Sequence, residues 1–445
     1  MKTYSSYTDS KIDWVGEIPS HWNLNKIKYI FFQRKEKNDP IQTDNILSLT
    51  IQQGVIPLSE KKSGGNKPKD DISKYNLTYP DDIVLNSMNV IVGSVGLSEY
   101  FGVVSPVYYI LKQIKSEDKI KYFEKLFRTE IFQKSLIGLG NGILIKKTES
   151  SGKLNTIRMR IPMDKLNQVV IPHPPIPEQT QIVSFLDTKT QKIDELIEKT
   201  EQKIKLLKEK RTSLINHCVT KGLNPNVEMK DSGVEWIGEI PSHWDKTRLK
   251  YQGEVLIGLS YKPENQVREN EGTLVMRSSN VQNGKPSFED NVYVNIEIPE
   301  RLITKENDIL ICSRNGSKRL IGKNCLITKD IEGMSWGVFM TVYRSKSPKY
   351  FHWVLNSPVF KSQSGLFLTS TINQLTVSTL ENMMVPFVSD LEEQNQIVEY
   401  LDEQTQKIDS TIEKETQRIE LLKEYRQSLI SDVVTGKVDV RGWNK

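Results

Sequence analysis

The sequence predicts an α+β fold in which two mixed α/β domains are separated by two long helices that pair as an antiparallel coiled coil. The block Asp-Trp-Val-Gly-Glu-Ile-Pro-Ser-His-Trp at residues 13–22 returns as Glu-Trp-Ile-Gly-Glu-Ile-Pro-Ser-His-Trp at residues 235–244. A second repeated block, at residues 178–183 and 393–398, opens two charged heptad segments. The stretches between these blocks differ in sequence. A repeated frame around different inserts indicates a pseudo-twofold scaffold that presents two different surfaces.

The repeats also set the predicted domain boundaries. The chain has 445 residues, and single cores stop growing near about 250–300 residues, so more than one core is expected. The predicted segments are a first domain (1–175), a central helix (176–222), a second domain (223–390), a distal helix (391–436) and a C-terminal tail (437–445).

Short β-rich runs between turn-forming residues characterise both inserts. A helical patch in the first insert, around Tyr122, Phe123 and Phe127, has the i, i+3, i+4 spacing of core packing and also includes Leu126 and Phe132. Each insert is therefore predicted to be a mixed α+β domain. The predicted strands cover 45–51, 82–85 and 103–110 in the first insert, and 273–276, 308–312 and 338–343 in the second.

The repeated Trp block predicts a tight turn packed by aromatic side chains, because two tryptophans bracket a Gly and a Pro. His21 and His243 lie inside this block. Packing in the turn explains them better than metal binding does.

The two charged segments have the a/d seam of a coiled coil, in which apolar residues recur every seven positions with a second series offset by four. A helix over residues 178–220 would be about 64 Å long and could not bury its apolar stripe against itself. Pairing of the two copies is favoured; the alternative is that each helix lies across its own domain. Polar residues interrupt the seam at matching heights, where they can fix register. The seam is Leu186, Thr190, Ile193, Ile197, Thr200, Ile204, Leu207, Arg211, Leu214 and Cys218 in the first copy, and Leu401, Thr405, Ile408, Ile412, Glu415, Ile419, Leu422, Arg426, Leu429 and Val433 in the second.

Composition places the chain among ordinary globular proteins, with 37% hydrophobic and 26% charged residues. The net charge of +5 permits a nucleic-acid partner without arguing strongly for one. The N-terminus lacks a secretory signal and no apolar run is long enough for a transmembrane helix. The cysteines Cys218, Cys312 and Cys325 are odd in number and have no CxxC spacing, which predicts a cytoplasmic protein.

The motifs of the common enzyme classes are missing. The five histidines are scattered, without an HExxH motif or zinc spacing. Pro80-Asp81 with Glu117-Asp118-Lys119 could mimic the carboxylates and lysine of a metal nuclease, but such spacing arises by chance and occurs in the first insert alone. There is no Gly-rich cofactor loop and no GxSxG. The sequence therefore predicts a chain without catalytic residues, metal or cofactor of its own.

Several loops of the inserts are rich in side chains that bind phosphates or base edges. Lysines bind phosphates, whereas Arg, Asn and Gln suit bidentate contacts to bases. Any single loop could be a solvated turn, but corresponding loops recur in both inserts, after matched strands and before the long helices. The candidate residues are Lys61, Lys62, Asn66, Lys67, Lys69, Asn86, Ser87, Asn89, Lys146, Lys147 and Lys153 in the first insert, and Arg277, Ser278, Asn280, Gln282, Asn283, Lys285, Arg314, Asn315, Lys318, Arg319, Thr371, Asn373 and Gln374 in the second.

These features resemble the specificity subunit of type I restriction–modification enzymes, over essentially the full length. The resemblance rests on the duplicated Trp block and on the segment Ile-Pro-His-Pro-Pro-Ile-Pro-Glu-Gln at 171–179, which leads into the first helix. It also rests on the helix ending at 206–215, which recurs at 421–430. One departure is the segment at 385–394, which lacks the proline cluster of its counterpart.

The resemblance implies two target-recognition domains, each reading one half of a bipartite asymmetric DNA site, and a helical spacer that fixes the unread gap. It further implies that the chain has no catalysis of its own. Its partners would be double-stranded DNA, two methyltransferase subunits that carry S-adenosylmethionine, and two restriction subunits, with ATP and magnesium bound by the partners. No membrane partner is expected.

Two other functions are compatible with parts of the sequence. A coiled-coil adaptor that binds proteins would explain the repeat and the heptads, but would make the Arg, Asn and Gln loops incidental. A nuclease or methyltransferase acting alone would require an active site that the sequence does not indicate. The DNA-reading interpretation is favoured over both.

Overall fold

A computed structural model of the protein describes residues 2–51, 53–61, 68, 71–88, 93–143, 158–269, 271–366 and 373–443. The chain forms two compact units, here called unit 1 (Met1–Thr200 with Gln417–Lys445) and unit 2 (Glu201–Thr416). Both divisions fall within long helices, so each of these helices contributes one half to each unit. No helix in the described ranges is long and apolar enough to cross a membrane.

Unit 1 is built on a four-stranded antiparallel sheet of order β4-β11-β8-β9. The aromatic patch predicted as core is buried beside this sheet, on α1 and α2. The strands of unit 1 are β1 (Tyr7–Asp9), β2 (Glu17–Pro19), β3 (Asn23–Lys26), β4 (Phe31–Arg34), β5 (Leu47–Thr50), β6 (Gly54–Pro57), β7 (Asn76–Thr78), β8 (Ile83–Asn86), β9 (Val95–Leu97), β10 (Gly102–Val104), β11 (Tyr108–Gln113), β12 (Asn141–Ile143), β13 (Arg158–Arg160) and β14 (Val170–His173); its helices are α1 (Ile120–Phe127), α2 (Glu130–Ser135), α3 (Met163–Gln168) and the first half of α4 (Ile176–Lys221).

Unit 2 contains a sheet of order β18-β27-β24-β25, the same order as in unit 1. A second sheet, β19-β23-β20-β26, covers a separate apolar cluster and includes one parallel pair. The strands are β15 (Met229–Asp231), β16 (Glu239–Pro241), β17 (Asp245–Arg248), β18 (Gly253–Ile257), β19 (Gln266–Val267), β20 (Thr273–Met276), β21 (Val281–Gln282), β22 (Lys285–Pro286), β23 (Tyr293–Val294), β24 (Ile309–Cys312), β25 (Asn324–Leu326), β26 (Ser335–Trp336), β27 (Met340–Ser345) and β28 (Met384–Phe387); the helices are α5 (Leu249–Gln252), α6 (Pro348–Leu355), α7 (Pro358–Leu366), α8 (Val377–Asn382) and the first half of α9 (Leu391–Val434).

The inserts therefore share a sheet although their sequences differ. The predicted strands at 82–85 and 308–312 are confirmed as β8 and β24, which occupy the same place in the two sheets. In both units, a strand next to the repeated Trp block pairs with the strand that precedes a long helix, as β3–β14 and as β17–β28. This pairing joins the two ends of each insert next to the start of its long helix.

The two predicted long helices are present, and every seam position is buried or partly buried. In unit 1, Ile182 and Leu186 of α4 share a core with Leu429 and Val433 of α9. In unit 2, Ile215 and Val219 of α4 share a core with Ile397 and Leu401 of α9. Within each unit, the halves of the two helices thus bury the apolar stripe that neither could bury alone.

The two seam arginines take part in equivalent ion pairs. In unit 1, Arg426 Nε donates a hydrogen bond of 2.8 Å to the Asp194 carboxylate. Arg211 bonds Asp409 in unit 2 at 2.9 Å. Each pair crosses from one long helix to the other at the same height of the repeat. At these two interruptions of the seam, the helices thus contact each other through charged groups.

The repeated Trp blocks bind the first turns of the long helices. Trp22 Nε1 donates to Glu178 at 2.9 Å, and His21 shares a hydrogen bond with the same carboxylate. Trp244 Nε1 donates to Glu393 at 3.0 Å, and His243 bonds the same carboxylate at 2.9 Å. The two kinds of repeated block are therefore in direct contact, which gives a physical reason for their joint duplication. Both histidines are exposed and are held by these hydrogen bonds.

An aspartate that precedes a central strand has the same role in both units. Asp82 accepts from the Tyr79 backbone N–H at 2.9 Å and from the Arg34 guanidinium at 2.9 and 3.2 Å. Asp308 accepts from the Lys305 backbone N–H at 2.9 Å and twice from Arg344 at 2.7 Å. The preceding residue is in the left-handed region in both cases, with φ of 66° and 68°. Asp82 and Asp308 thus each form an ion pair that anchors the sheet of its unit.

Candidate nucleic-acid interface

Three of the predicted recognition loops of unit 2 converge on one groove of about 830 Å³. The first loop follows β20, the second follows β24, and the third precedes α8. The groove lies where β24 ends and β27 begins, so backbone loops rather than strand faces form its walls. The lining includes Arg277, Ser278, Arg314, Asn315 and Asn373 from the sequence prediction, together with Tyr261 and Phe339.

Hydrogen bonds tie the three loops together. Asn315 Nδ2 donates to Ser278 Oγ at 2.9 Å, which joins the second loop to the first. Asn373 Nδ2 donates to the Gly316 carbonyl at 3.1 Å, which joins the third loop to the second. The backbone adds a bridge between Arg314 and Gln374. These contacts fix the shape of the groove before any ligand binds, which lowers the ordering cost of binding.

Lys323 supports the groove from behind. Its ammonium group donates to the Val281 carbonyl at 2.8 Å and also to the Ser278 carbonyl. Burial lowers the pKa of Lys323. The sequence analysis did not select this lysine, because nothing in its neighbourhood distinguishes it from a solvated one.

Other predicted residues of unit 2 have different surroundings. Asn280 is fully buried; its side chain accepts from the Arg277 backbone N–H and donates to the Ser287 carbonyl, so it holds the loop from inside. Gln282, Asn283 and Lys285 are exposed on the hairpin β21–β22, as are Lys318 and Arg319 on a short 3-10 helix. The loop with Asn373 and Gln374 does not lead directly into the long helix as expected, because α8 and β28 intervene.

The corresponding region of unit 1 is described in part. Strand order equates β8 with β24, which confirms that the segment after β8 is the counterpart of the Arg314 loop. Asn86 accepts from the Met88 backbone N–H, and Ser87 is buried and donates to the Val107 carbonyl. Lys61 is partly buried. The remaining candidates lie outside the described residues: Lys62, Asn66, Lys67, Lys69, Asn89, Lys146, Lys147, Lys153 and Thr371.

The metal-binding and thiol groups of the described residues can be assessed directly. Within it, no group of three His, Cys, Asp or Glu side chains could hold a metal ion. The three cysteines are buried, and burial raises the pKa of Cys218 to about 11 and that of Cys325 to about 12. Such thiols stay protonated near neutral pH and are poor nucleophiles. The groove, in contrast, combines fixed amides, hydroxyls and a guanidinium.

Comparison with known proteins agrees with this geometry. A family model described as the type I restriction modification DNA specificity domain matches residues 241–423. The StySPI specificity subunit of Salmonella potsdam is 28% identical over 207 residues, which cover 45% of this chain and 44% of that protein. Over residues 241–423 the chain is thus similar to the type I specificity domain. The EcoKI specificity subunit of Escherichia coli K12 is likewise 28% identical over 209 residues, with the same coverage of both chains. The chain thus matches less than half the length of these curated relatives.

Two solved structures have a similar fold over nearly the whole chain. A chain from a structure on complex assembly and conformational transition of the type I R-M system has a TM-score of 0.70 at 14% identity, and the match covers 95% of this chain and 99% of that one. The HsdS subunit from Thermoanaerobacter tengcongensis has a TM-score of 0.54 at 14% identity, covering 95% and 98%. Both likenesses extend beyond the segment that the family model matches.

Proposed function

We propose that this chain is the sequence-specific DNA-binding subunit of a type I restriction–modification complex. The observation that carries the proposal is the groove of unit 2, where the loop after β24 and the loop before α8 present Arg314, Asn315 and Asn373 on a fixed backbone. Arg and Asn are suited to bidentate contacts with guanine and adenine in the major groove. The match of residues 241–423 to the DNA specificity domain model supports DNA as the ligand of this groove.

Each unit would read one half of a bipartite, asymmetric site. The supporting facts are the same sheet order in both units and the different residues after the matched strands β8 and β24. The exposed lysines and Arg319 would bind phosphates and set affinity, while Arg314 and the amides of the groove would contribute to sequence choice. The first domain (1–175) and the second (223–390) would be the two readers.

The long helices would form the spacer between the readers, as an antiparallel coiled coil with pseudo-twofold symmetry. The equivalent pairs Asp194–Arg426 and Arg211–Asp409 support this pairing, since both join a residue of one helix to a residue of the other. A spacer of fixed length makes the distance between half-sites a geometric property of the protein.

Catalysis would belong to partner subunits of a cytoplasmic complex. Two methyltransferase subunits would bring S-adenosylmethionine and methylate adenine, and two restriction subunits would bring ATP and magnesium. This chain would position them on DNA without a cofactor of its own. The buried thiols and the scattered histidines described above support a role in binding.

Salt dependence of DNA binding tests the proposal against a protein-binding adaptor. For the full chain with its methyltransferase partner, we expect the logarithm of the affinity to fall linearly with the logarithm of salt, because phosphate contacts release counterions. Replacing Lys318 and Arg319 together by Ala should weaken binding to all sequences equally and reduce the slope by about two. Fluorescence anisotropy with duplex DNA at several salt concentrations measures both quantities.

Lys329→Ala is the matched control. Lys329 is exposed in unit 2 and follows β25, whose end pairs with the start of β24, so it lies at the strand ends away from the groove. Lys329→Ala should leave the dependence of the logarithm of the affinity on the logarithm of salt unchanged. Salt-independent binding, or no binding to any duplex by a folded complex, would contradict the proposal and favour the adaptor.

A further inference from the structure

Arg277 and Arg314 line the same groove, but their guanidinium groups are held in different ways. Arg277 Nη2 lies 2.8 Å from the Asp290 carboxylate and donates to the Asp290 carbonyl at 3.3 Å. The Arg277 Nε is buried without a hydrogen-bond partner among the described residues. The Arg277 guanidinium is thus turned towards its own loop, where its charge is neutralised.

Arg314 is exposed, and its guanidinium lies over the ring of Phe339, with 5.1 Å between the guanidinium carbon and the ring centroid. Within the described ranges, the Arg314 side chain makes no hydrogen bond or ion pair. Its backbone N–H donates to the Phe339 carbonyl at 3.0 Å, which fixes the start of the side chain. The N–H donors at the edge of the guanidinium are therefore available to a ligand in the groove.

Phe339 accounts for the orientation of Arg314. Phe339 is 53% exposed, so its ring is accessible to the Arg314 side chain. Stacking on a ring restricts the rotamers of an arginine and keeps its planar fork free at the edge. A guanidinium that is already oriented loses less conformational freedom when it binds a base.

We propose that Arg314 reads a guanine in the half-site of unit 2 through a bidentate contact to O6 and N7, and that Phe339 is the residue that positions it. The proposal rests on the function proposed above. Bidentate Arg–guanine contacts in the major groove are the commonest specific contacts to bases. Arg277, whose guanidinium is committed to Asp290, holds the first loop in place and does not read a base.

The test is adenine-methylation mapping in cells that express this chain with its methyltransferase partner. In wild type, one G·C pair of one half-site should be strictly required. Arg314→Ala should reduce the preference for that pair by roughly 5- to 150-fold and leave all other positions unchanged. Arg314→Lys should relax the same position to a smaller extent, because an ammonium group cannot form the two parallel bonds.

Phe339 is tested by a conservative pair of variants. Phe339→Leu removes the ring and should relax the same base pair, whereas Phe339→Tyr keeps the ring and should retain the wild-type preference. Arg301→Ala is the matched control for loss of an exposed arginine, since Arg301 precedes β24 and Arg314 follows it. The control should leave the motif unchanged.

The possible outcomes separate the two proposals. A wild-type complex without any split motif would overturn the proposed function. A split motif that Arg314→Ala leaves equally selective at every position, or relaxes at an A·T pair, would overturn the guanine assignment alone. If Arg314→Ala abolishes methylation, a second experiment measures binding of the wild-type complex to DNA that has 7-deazaguanine at the required position. Weaker binding than to normal DNA supports the contact to N7. Unchanged binding refutes it.

Discussion

Removing one heptad from each long helix is expected to shorten the unread gap between the two half-sites. Deletion of 199–205 with 415–421 removes facing segments from the middle of the proposed pair and keeps both Asp194–Arg426 and Arg211–Asp409. Seven residues span about 10 Å of helix, which corresponds to at most about three base pairs at 3.4 Å each. Methylation mapping of the deleted complex measures the new gap directly.

A matched control keeps the helix length. Glu201→Ala with Gln417→Ala changes exposed positions of the same segments without altering the seam. This variant should retain the wild-type gap. If the deleted protein folds, methylates DNA and keeps the original gap, the helices do not set the spacing between half-sites.

Asp308→Ala is expected to destabilise unit 2 more than other single polar substitutions. The Asp308 side chain is 2% exposed and bonds both Arg344 and the Lys305 backbone N–H. Its removal leaves a largely buried guanidinium unpaired, which typically costs 3–5 kcal/mol. Because the Arg344 side chain is 26% exposed, we expect a loss of about 3 kcal/mol in the free energy of unfolding.

Hydrogen exchange of the β24 and β27 amides in the intact complex measures this loss unit by unit. Asp308→Asn should lower the free energy of unfolding less than Asp308→Ala does, because the amide oxygen can still accept from the Lys305 backbone N–H. Glu403→Ala breaks the exposed ion pair with Lys407 and should change exchange little. An effect of Asp308→Ala no larger than that of Glu403→Ala would show that the ion pair does not anchor the sheet.

The features that sequence predicted best depend on periodicity and repetition. The heptads alone placed the long helices and their seam, since burial of an apolar stripe follows from spacing. The aromatic patch around Phe123 followed from the same rule. The aspartate partners of Arg211 and Arg426 could not be derived from the sequence. They depend on the register between two helices that are far apart in the chain.

The sequence predicted the loops that line the groove but not how their side chains are arranged in it. The loops of Arg277, Arg314 and Asn373 were selected by composition, but composition does not show which side chains face inwards. Asn280 was selected with them and is fully buried. Phe339 was missed because it was assigned to the predicted strand 338–343, whereas the strand begins at Met340 and the ring stays exposed under an arginine. Side-chain direction in loops requires the backbone path.

The same limit applies to the anchoring aspartates. Asp82 and Asp308 precede equivalent strands, yet their arginine partners lie on strands that are not equivalent, Arg34 on β4 and Arg344 on β27. The carboxylate position is kept, while its cation comes from the adjacent strand in unit 2 and from one strand further along the sheet in unit 1. Local sequence comparison of the inserts cannot find such a pair.

Methylation mapping with one reader exchanged tests the central claim most directly. The insert at 245–385 would be replaced by that of a relative with a different specificity, while both repeated frames and both long helices are kept. The account predicts a split motif in which one half changes and the other half and the gap stay as in wild type. A change in both halves, or an unchanged motif, would contradict the claim that each unit reads its own half of the site.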